Sequence, residues 1–427
     1  MKSRKAAVVF IFVTVMLDML ALGLVIPVIP KLVLDFLGGD ASDAAKWLGI
    51  FGTVFALMQL LFAPALGVFS DQVGRRPVIL LSNLGLGLDY IVLALAPSIG
   101  WLFVGRVLSG ITAASVPTAF AYISDVVTPE KRAGAFGMIG AAFGVGFVLG
   151  PAVGGLLGSF DPRLPFWVAA GLSLANALYG FFVLPESLPR ERRRAFALRR
   201  ANPVGSLLLL RSHPELFRLA SVQFVGFVAH EVLPSVFALY AIYRYAWSEG
   251  QIGLSLALVG VCSVAFNAGL VGPVVTRLGE RRTLYLGLLF GAVGMALSGW
   301  ATTGAWYLAA IPVMMIWTLS GPAAQGLMTR RVSESEQGEL QGAISSLRSV
   351  ATLFGPGLFS FTFAFFIDSE RGWVLPGAPW YLAATLLFLA MLMATRIPKL
   401  PGGTASAPPA SAVPSGTLSA STPPIVG

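Results

Sequence analysis

The 427 residues would suffice for two to four ordinary domains, but 56% are hydrophobic and only 11% charged, against about 25% charged in a soluble globular protein. So few charges cannot cover a water-exposed surface of this size, and a mean hydropathy of +0.80 agrees, so a water-soluble enzyme is excluded. The net charge of +9 is spread over short loops rather than gathered on one face, which argues against nucleic-acid binding, and the single Cys262 cannot form a disulfide within the chain.

A transmembrane helix takes roughly 20 mainly apolar residues. In chain order, such runs predict spans over residues 6–30, 47–69, 78–96, 101–124, 133–157, 165–184, 217–243, 252–276, 283–301, 306–328, 340–366 and 380–395. The expected fold class is therefore an all-α membrane protein with twelve transmembrane helices. The first run is long and no small-residue cleavage site follows it, so it reads as a span rather than a cleaved signal peptide.

The intervening loops alternate in charge. Of the 29 Lys and Arg, 22 fall on the side that holds the N-terminus, among them Arg75, Arg76, Lys131, Arg132, Arg281, Arg282, Arg330 and Arg331. The opposite side has Lys31, Lys46, Arg163, Arg244 and Arg371, and Arg106 and Arg348 lie inside spans. By the positive-inside rule both termini are expected to be cytoplasmic, in a multi-pass membrane protein. The segment Pro185–Pro214, rich in Arg, divides the spans six and six. The expected organisation is a six-helix bundle over 1–184, a basic cytoplasmic linker over 185–215 lying near anionic headgroups, a second six-helix bundle over 216–396, and a disordered Pro/Ala/Ser/Thr-rich tail over 397–427.

The chain also repeats itself. At an offset of 205 residues Gly67 falls on Gly272, Gly74 on Gly279, Arg76 on Arg281, Trp101 on Trp306, Gly137 on Gly342, and Gly150-Pro151 on Gly355-Pro356. Two six-helix halves of the same orientation imply parallel repeats about an axis normal to the membrane, with a substrate site between them near mid-bilayer. Such a repeat favours a transporter over a membrane enzyme or a channel.

Three acids lie well inside predicted spans: Asp18, Asp89 and Glu231. An ionised carboxylate at helix centre costs on the order of 3 kcal/mol, so these should face a polar cavity or carry a proton. His230 could share that role, but adjacent helical residues point about 100° apart, so His230 and Glu231 need not face the same way. Arg106 either snorkels to the nearer interface or faces the acids. Arg348 has the same two readings. Gln59, Gln325, Gln341 and Asn267 are uncharged amides suited to helix–helix hydrogen bonds or to ligand contact.

After the second span, Gly67, Ser70, Asp71, Gly74, Arg75, Arg76 and Pro77 form a turn in which Asp71 can pair with Arg75. It reads either as an ordinary positive loop or as a gate latch, and its repetition favours the latch. The equivalent turn at Gly279 lacks the acid, because Thr276 replaces Asp71. In the fifth span Gly146, Gly150, Gly154 and Gly158 recur every four residues with Pro151 between them, a stripe suited to close helix packing and a bend. In a two-state transporter that stripe would be the rocking contact.

These segments resemble a known family. GVFSDQVGRRP, VGRVLSGITAA and GVGFVLGPAVGG are similar to the signature loop, the membrane Arg motif and the antiporter glycine motif of major facilitator superfamily drug–proton antiporters. MLDMLALGLVIPVIPKL, FALMQLLFAPALG, GLDYIVLALAP and GPAAQGLMTRRVSESEQGELQGAISSL are similar to the tetracycline efflux branch, and the likeness spans residues 6–395. The resemblance implies proton-driven export of an amphipathic drug such as tetracycline, as a divalent-cation chelate, by a monomer with no cofactor beyond the coupling proton. It implies that Asp71, Arg75 and Arg76 latch the inward side and that Arg106 and Asp125 assist proton coupling. It also implies that Asp18, Gln59 and Asp89 line the substrate path. Enteric members of that branch carry an intramembrane His in helix eight and an Asp in helix nine, and the corresponding stretches here, GVCSVAFNAGL and LGLLFGAVGMAL, carry neither. Glu231 is then the candidate for the second-half protonation site. An exporter or importer of another metabolite on the same fold stays open. A non-transporting receptor is a remote alternative: the sequence offers no nucleophile–base pair, no phosphate loop and no metal-ligand cluster.

Overall fold

The computed structural model describes residues 2–193, 210, 214–372 and 374–397. Arg194, Arg199, Arg200 and His213 of the linker, and the tail from residue 398, lie outside the described residues. Among the described residues there is no strand, and twelve helices are long and apolar enough to cross a membrane. They are α1 (Val8–Phe36), α2 (Ala41–Val73), α3 (Arg75–Leu95), α4 (Ile99–Val126), α5 (Gly134–Gly158), α6 (Leu164–Val183), α7 (Pro214–Tyr245), α8 (Glu249–Gly269), α9 (Val271–Trp300), α10 (Gly304–Thr329), α11 (Gln337–Ile367) and α12 (Ala378–Thr395).

Several run past the expected spans because capped, polar ends extend the apolar core. The start of α2 is fixed by Asp40, whose side chain accepts from the Asp43 N–H at 3.0 Å, and α8 starts on a capping box between Ser248 and Gln251. The first part of α9 continues α8 across a kink. Pro273 has no N–H to give Gly269, yet Val274 N–H still reaches the Leu270 carbonyl at 3.0 Å. The true turn is Gly279, at φ 76° and ψ 159°, matching Gly74 at φ 113° and ψ 162°. Side-chain-bearing residues avoid that region, so the repeat is a repeat of backbone as well as of residue types.

Proline also breaks four spans. In α1 the helix stops at Val25 and restarts at Ile29, around Pro27 and Pro30. In α4 the helix stops at Thr112 and restarts at Ser115, because Pro117 cannot donate to Ala113. In α10 a 3₁₀ turn over Ile316–Leu319 precedes the restart at Ser320, where Pro322, 205 residues after Pro117, withholds a donor from Thr318. In α7, Pro234 withholds one from His230, and the helix is interrupted at Glu231. Breaks at membrane depth need internal partners for the freed groups, and they mark where side chains are re-aimed.

Within the amino half α1 packs on α5 and α6, and α3 on α4 and α6; within the carboxyl half α9 packs on α10 and α12, and α7 on α11 and α12. The halves meet chiefly along two pairs, α2 with α11 and α5 with α8, and α7 also touches α1 and α2. Both contacts are tight at the end remote from the termini. Gly49 and Gly52 lie against Ser360 and Pro356, and Ser42 donates to the Ala364 carbonyl at 3.2 Å. On the other pair, Gly155 and Gly253 approach backbone to backbone. Toward the termini the helices part: Gly67, Gly134, Gly137, Gly140, Gly269, Gly272 and Gly338 have no other atom near the position a Cβ would take. The cleft between the halves therefore opens on the side that carries the termini.

The glycine stripe of α5 has a different role from the one its spacing suggests. Gly146, Gly150 and Gly154 pack on Met19, Leu20, Gly23 and Leu24 of α1, inside the same half. The surface that meets the other half is turned by one residue, through the Pro151 carbonyl and Gly155, and only Gly158 touches both neighbours. Spacing alone cannot say which of two adjacent faces meets which helix. Gly253→Val would place a side chain against the Pro151 carbonyl, where backbone must move, at a cost of about 1–3 kcal/mol. The expected outcome is a lower Tm in detergent and greater thiol labelling of a cysteine placed at Ser159, whereas an unchanged Tm and labelling would show that this end is not held shut by that contact.

Candidate proton and substrate site

Asp18 is buried, 4% exposed, but it does not look into the cleft. It sits among α1, α3, α4 and α6 within the amino half. Asn176 Nδ2 donates to Asp18 Oδ1 at 3.1 Å and to the Thr14 carbonyl at 3.2 Å. Asn83, with its amide nitrogen turned toward Asp18, donates at 3.2 and 3.3 Å and accepts from Asn176 at 3.1 Å. The Ser115 hydroxyl lies beside it at the restart of α4. The sequence reading missed Asn83 and Asn176. The signal was present, since both are amides deep in apolar runs.

Asp89 has a different environment. Its side chain is fully buried and neither carboxylate oxygen is hydrogen-bonded; the Ser109 hydroxyl beside it donates instead to the Gly105 carbonyl at 2.8 Å. The nearest charge is Arg106 Nη2, 3.8 Å from Oδ2, on a side chain only 14% exposed. Arg106 therefore faces inward rather than snorkelling. Gly105, one residue earlier, lets α4 approach, because a Cβ there would stand 2.9 Å from Asp89 Oδ1. A carboxylate held by one cation without hydrogen bonds can exchange that cation for a proton with little rearrangement.

In the carboxyl half the break in α7 sends its two titratable residues to different neighbours. His230 stacks on Trp317 at 4.9 Å between ring centroids; Trp317 is delivered by the 3₁₀ turn of α10 and lies against Gly291. Glu231 accepts from Thr352 Oγ1 of α11 at 3.0 Å, and Arg348 of α11 lies close enough for its charge to act on it while stacking over Phe227 at 4.4 Å. Gln59 is half-exposed, Gln325 and Gln341 are exposed, and Asn267 turns back to the Ser263 carbonyl at 2.9 Å. These amides do not join the acidic clusters. Among the described residues no group of His, Cys, Asp and Glu could hold a metal ion.

The loop after α2 is a network confined to one half. Arg75 pairs with Asp71 at 2.7 Å and Asp125 at 3.1 Å and donates to Ser70 Oγ at 2.6 Å. Arg76 donates to the Phe181 carbonyl at the end of α6, a favourable place for a cation. Glu186, unremarked in the sequence because it opens a basic linker, accepts from the backbone N–H groups of Arg75 and Arg76 at 2.8 and 3.3 Å. The carboxyl half repeats the device with its charges exchanged. Adding 205 to Arg75 and Asp125 gives Glu280 and Arg330, which pair at 3.0 Å, and Arg281 donates to the Thr395 carbonyl at the end of α12 at 3.1 Å. The acid lost at Thr276 has thus reappeared four residues later.

The Major Facilitator Superfamily model matches residues 11–356 and 238–423. The chain belongs to that superfamily. It is 38% identical over 399 residues to the tetracycline resistance protein, class C, of Escherichia coli, covering 93% of this chain and 98% of that one. It is 35% identical to the class D protein of Salmonella ordonez over 92% of this chain and 98% of the relative. Among solved structures it superposes, with a TM-score of 0.72 and 18% identity over 93% of this chain and 98% of the other, on a bacterial homologue of the human lysosomal transporter Spinster in an inward-facing, occupied conformation. That last likeness shows the shared fold. Within the superfamily the chain stands with the tetracycline resistance proteins.

The exchanged pair can be tested by a charge swap. Glu280→Arg or Arg330→Glu alone should lower the Tm, and the double variant should recover most of the loss, with a coupling of about 0.5–1 kcal/mol because Arg330 is largely exposed. Strictly additive losses would mean that the pair carries no interaction.

Proposed function

We propose that this protein exports tetracycline or a related amphipathic drug in exchange for protons, by alternating access of its two halves in the bacterial inner membrane. The observation that carries the reading is Asp89: a fully buried carboxylate, without hydrogen bonds, 3.8 Å from one guanidinium, in a chain similar over nearly its whole length to tetracycline resistance proteins. Leaving a charge so placed costs several kcal/mol once its partner is withdrawn. A proton arriving at Asp89 releases Arg106, and Arg106 returning to Asp89 expels the proton. If substrate draws Arg106 toward the cleft in one conformation only, proton and drug bind in alternation, and their differential affinity for the two conformations drives the cycle.

The excess of Lys and Arg on the side of the termini supports a cytoplasmic location for both ends. The cleft described here then opens to the cytoplasm, ready to take up drug, and the α2–α11 and α5–α8 contacts seal the outer side. Six helices before the linker and six after it form the rocking bodies of a monomer. Glu231, held by Thr352 beside Arg348, is the second protonation site, taking the place of the His and Asp that spans eight and nine lack. The drug travels as its divalent-cation chelate, and no other cofactor takes part.

Labelled tetracycline in proteoliposomes tests the reading directly. An imposed pH gradient should drive accumulation that a protonophore abolishes, and Asp89→Asn should lower the gradient-driven rate at least about tenfold with an unchanged Tm. Accumulation indifferent to the gradient would overturn proton coupling, and full coupling in Asp89→Asn would remove that residue from it.

A further inference from the structure

Arg348 is a charge inside a membrane-spanning helix, and the surface of α11 shows what it faces. At 100° per residue, Gln341, Ser345, Arg348 and Thr352 fall on one stripe of the helix; the first three are exposed and Thr352 is half-exposed. Phe354, Leu358, Phe361 and Phe365 make a second exposed stripe on another side of the helix, and its apolar character suits lipid. Toward the outer end the polar stripe continues as Gly355, Phe359 and Phe363, which are buried. The stripe is thus covered at the outer end and uncovered where α2 and α11 part, which turns it toward the cleft.

The depth of Arg348 follows from the contact that closes the outer end, where Gly52 of α2 lies against Pro356. Arg348 is two turns inward of that contact on α11, and Gln59 is two turns inward on the face of α2 that carries Gly52. At 1.5 Å per residue both stand about 11–12 Å deeper. Arg348 and the half-exposed Gln59 therefore look at each other across the opening, one from each half. The Arg348 guanidinium packs over the Phe227 ring at 4.4 Å, and Glu231, held by Thr352 Oγ1 at 3.0 Å, lies within range of its charge. Among the described residues this guanidinium makes neither a hydrogen bond nor an ion pair. Its planar fork of N–H donors is held by the ring beneath it and left open to the cleft.

We propose that Arg348 selects the transported molecule by binding an anionic group on it, one that shares its charge over two or more oxygens and is attached to an apolar body. The inference rests on the reading that the cleft is the drug path. A guanidinium fork matches such a pair of oxygens in a charge-assisted, bidentate contact, and the Gln59 amide of the other half offers uncharged donors and an acceptor to the same ligand. In a chelated drug the group concerned is an anionic one that the metal ion leaves free. A neutral molecule of the same shape takes the water from Arg348 without giving it a partner, and that difference sets the selectivity.

Two probes of one shape separate charge from size: naphthalene-2-sulfonate and the neutral naphthalene-2-sulfonamide, each competing with gradient-driven uptake of labelled tetracycline in proteoliposomes. The sulfonate is permanently charged, so it does not carry protons across the bilayer. It should compete at a concentration at least about tenfold lower than the sulfonamide, the value of one charge-assisted hydrogen bond. Arg348→Gln should erase that preference and raise the KM for tetracycline more than it lowers kcat, and Arg348→Lys, which keeps the charge, should restore part of the preference. Equal competition by the two probes in the parent would overturn the proposal. So would a preference that survives in Arg348→Gln, the result given by a cation that serves only to balance Glu231. Absence of tetracycline uptake in the parent would count against the proposed function and leave Arg348 to be judged by Tm in dodecyl maltoside. There a saturable rise with the sulfonate, absent with the sulfonamide and absent in Arg348→Gln, supports the anion site, and any other pattern overturns it.

Discussion

A negative charge carried into hydrocarbon must be matched there, and much of this molecule follows from the two ways it matches Asp18 and Asp89. Around Asp18 the match is made by dipoles: two carboxamides from α3 and α6 converge on an acid of α1. Three helices are thereby committed to one arrangement, since moving any of them strands a polar group at depth, where an unsatisfied group costs several kcal/mol. Around Asp89 the match is a single cation on the neighbouring helix, with no hydrogen bond. One acid thus ties helices together through hydrogen bonds, and the other faces a cation at 3.8 Å.

The carboxyl half is built by other means. Phe237, Tyr240, Tyr245, Trp247, Tyr307, Phe363 and Trp380 form a continuous aromatic block at the end remote from the termini, with Tyr240 and Tyr245 hydroxyls satisfying carbonyls of Ser298 and Ala301. Aromatic pairs add roughly 0.5–1.5 kcal/mol each beyond the area they bury. The half that contains this block sets His230 and Glu231 at a helix break. The proline breaks at Pro117, Pro234 and Pro322 serve both halves alike: each interrupts a helix so that Ser115, Glu231 or Trp317 is aimed where an uninterrupted helix would not aim it.

Much of this was legible in the sequence. The twelve spans followed from apolar runs, and the matching turns of the two halves were announced by Gly74 and Gly279. Arg106 and Asp89 stood out because charge within lipid depth is costly enough to be informative by itself, and they lie 3.8 Å apart. The lining of Asp18 was not legible, since the face a helical amide presents depends on packing, and Asn83 and Asn176 carry no charge to flag them. The α5 glycines were visible but their partner was not: neighbouring faces of one helix differ by 100°, less than sequence spacing resolves. Glu186 was hidden for the opposite reason, an acid read as part of a basic segment. The pairing of Glu280 with Arg330 emerges only when the 205-residue offset is applied to a contact rather than to a residue.

That exchange of sign bears on how the chain assembles as it enters the bilayer. Two similar six-helix units on one polypeptide risk trading equivalent helices, because their apolar faces offer little discrimination. Had both units used the same polarity, Arg75 would find as good a partner at the end of α10 as at the end of α4. With Asp125 on one and Arg330 on the other, a helix hairpin that docks in the wrong unit brings guanidinium to guanidinium and carboxylate to carboxylate. Opposite polarity in otherwise matching sockets thus keys each hairpin to its own bundle, and a chimera carrying two copies of either half would lose that safeguard against misassembly.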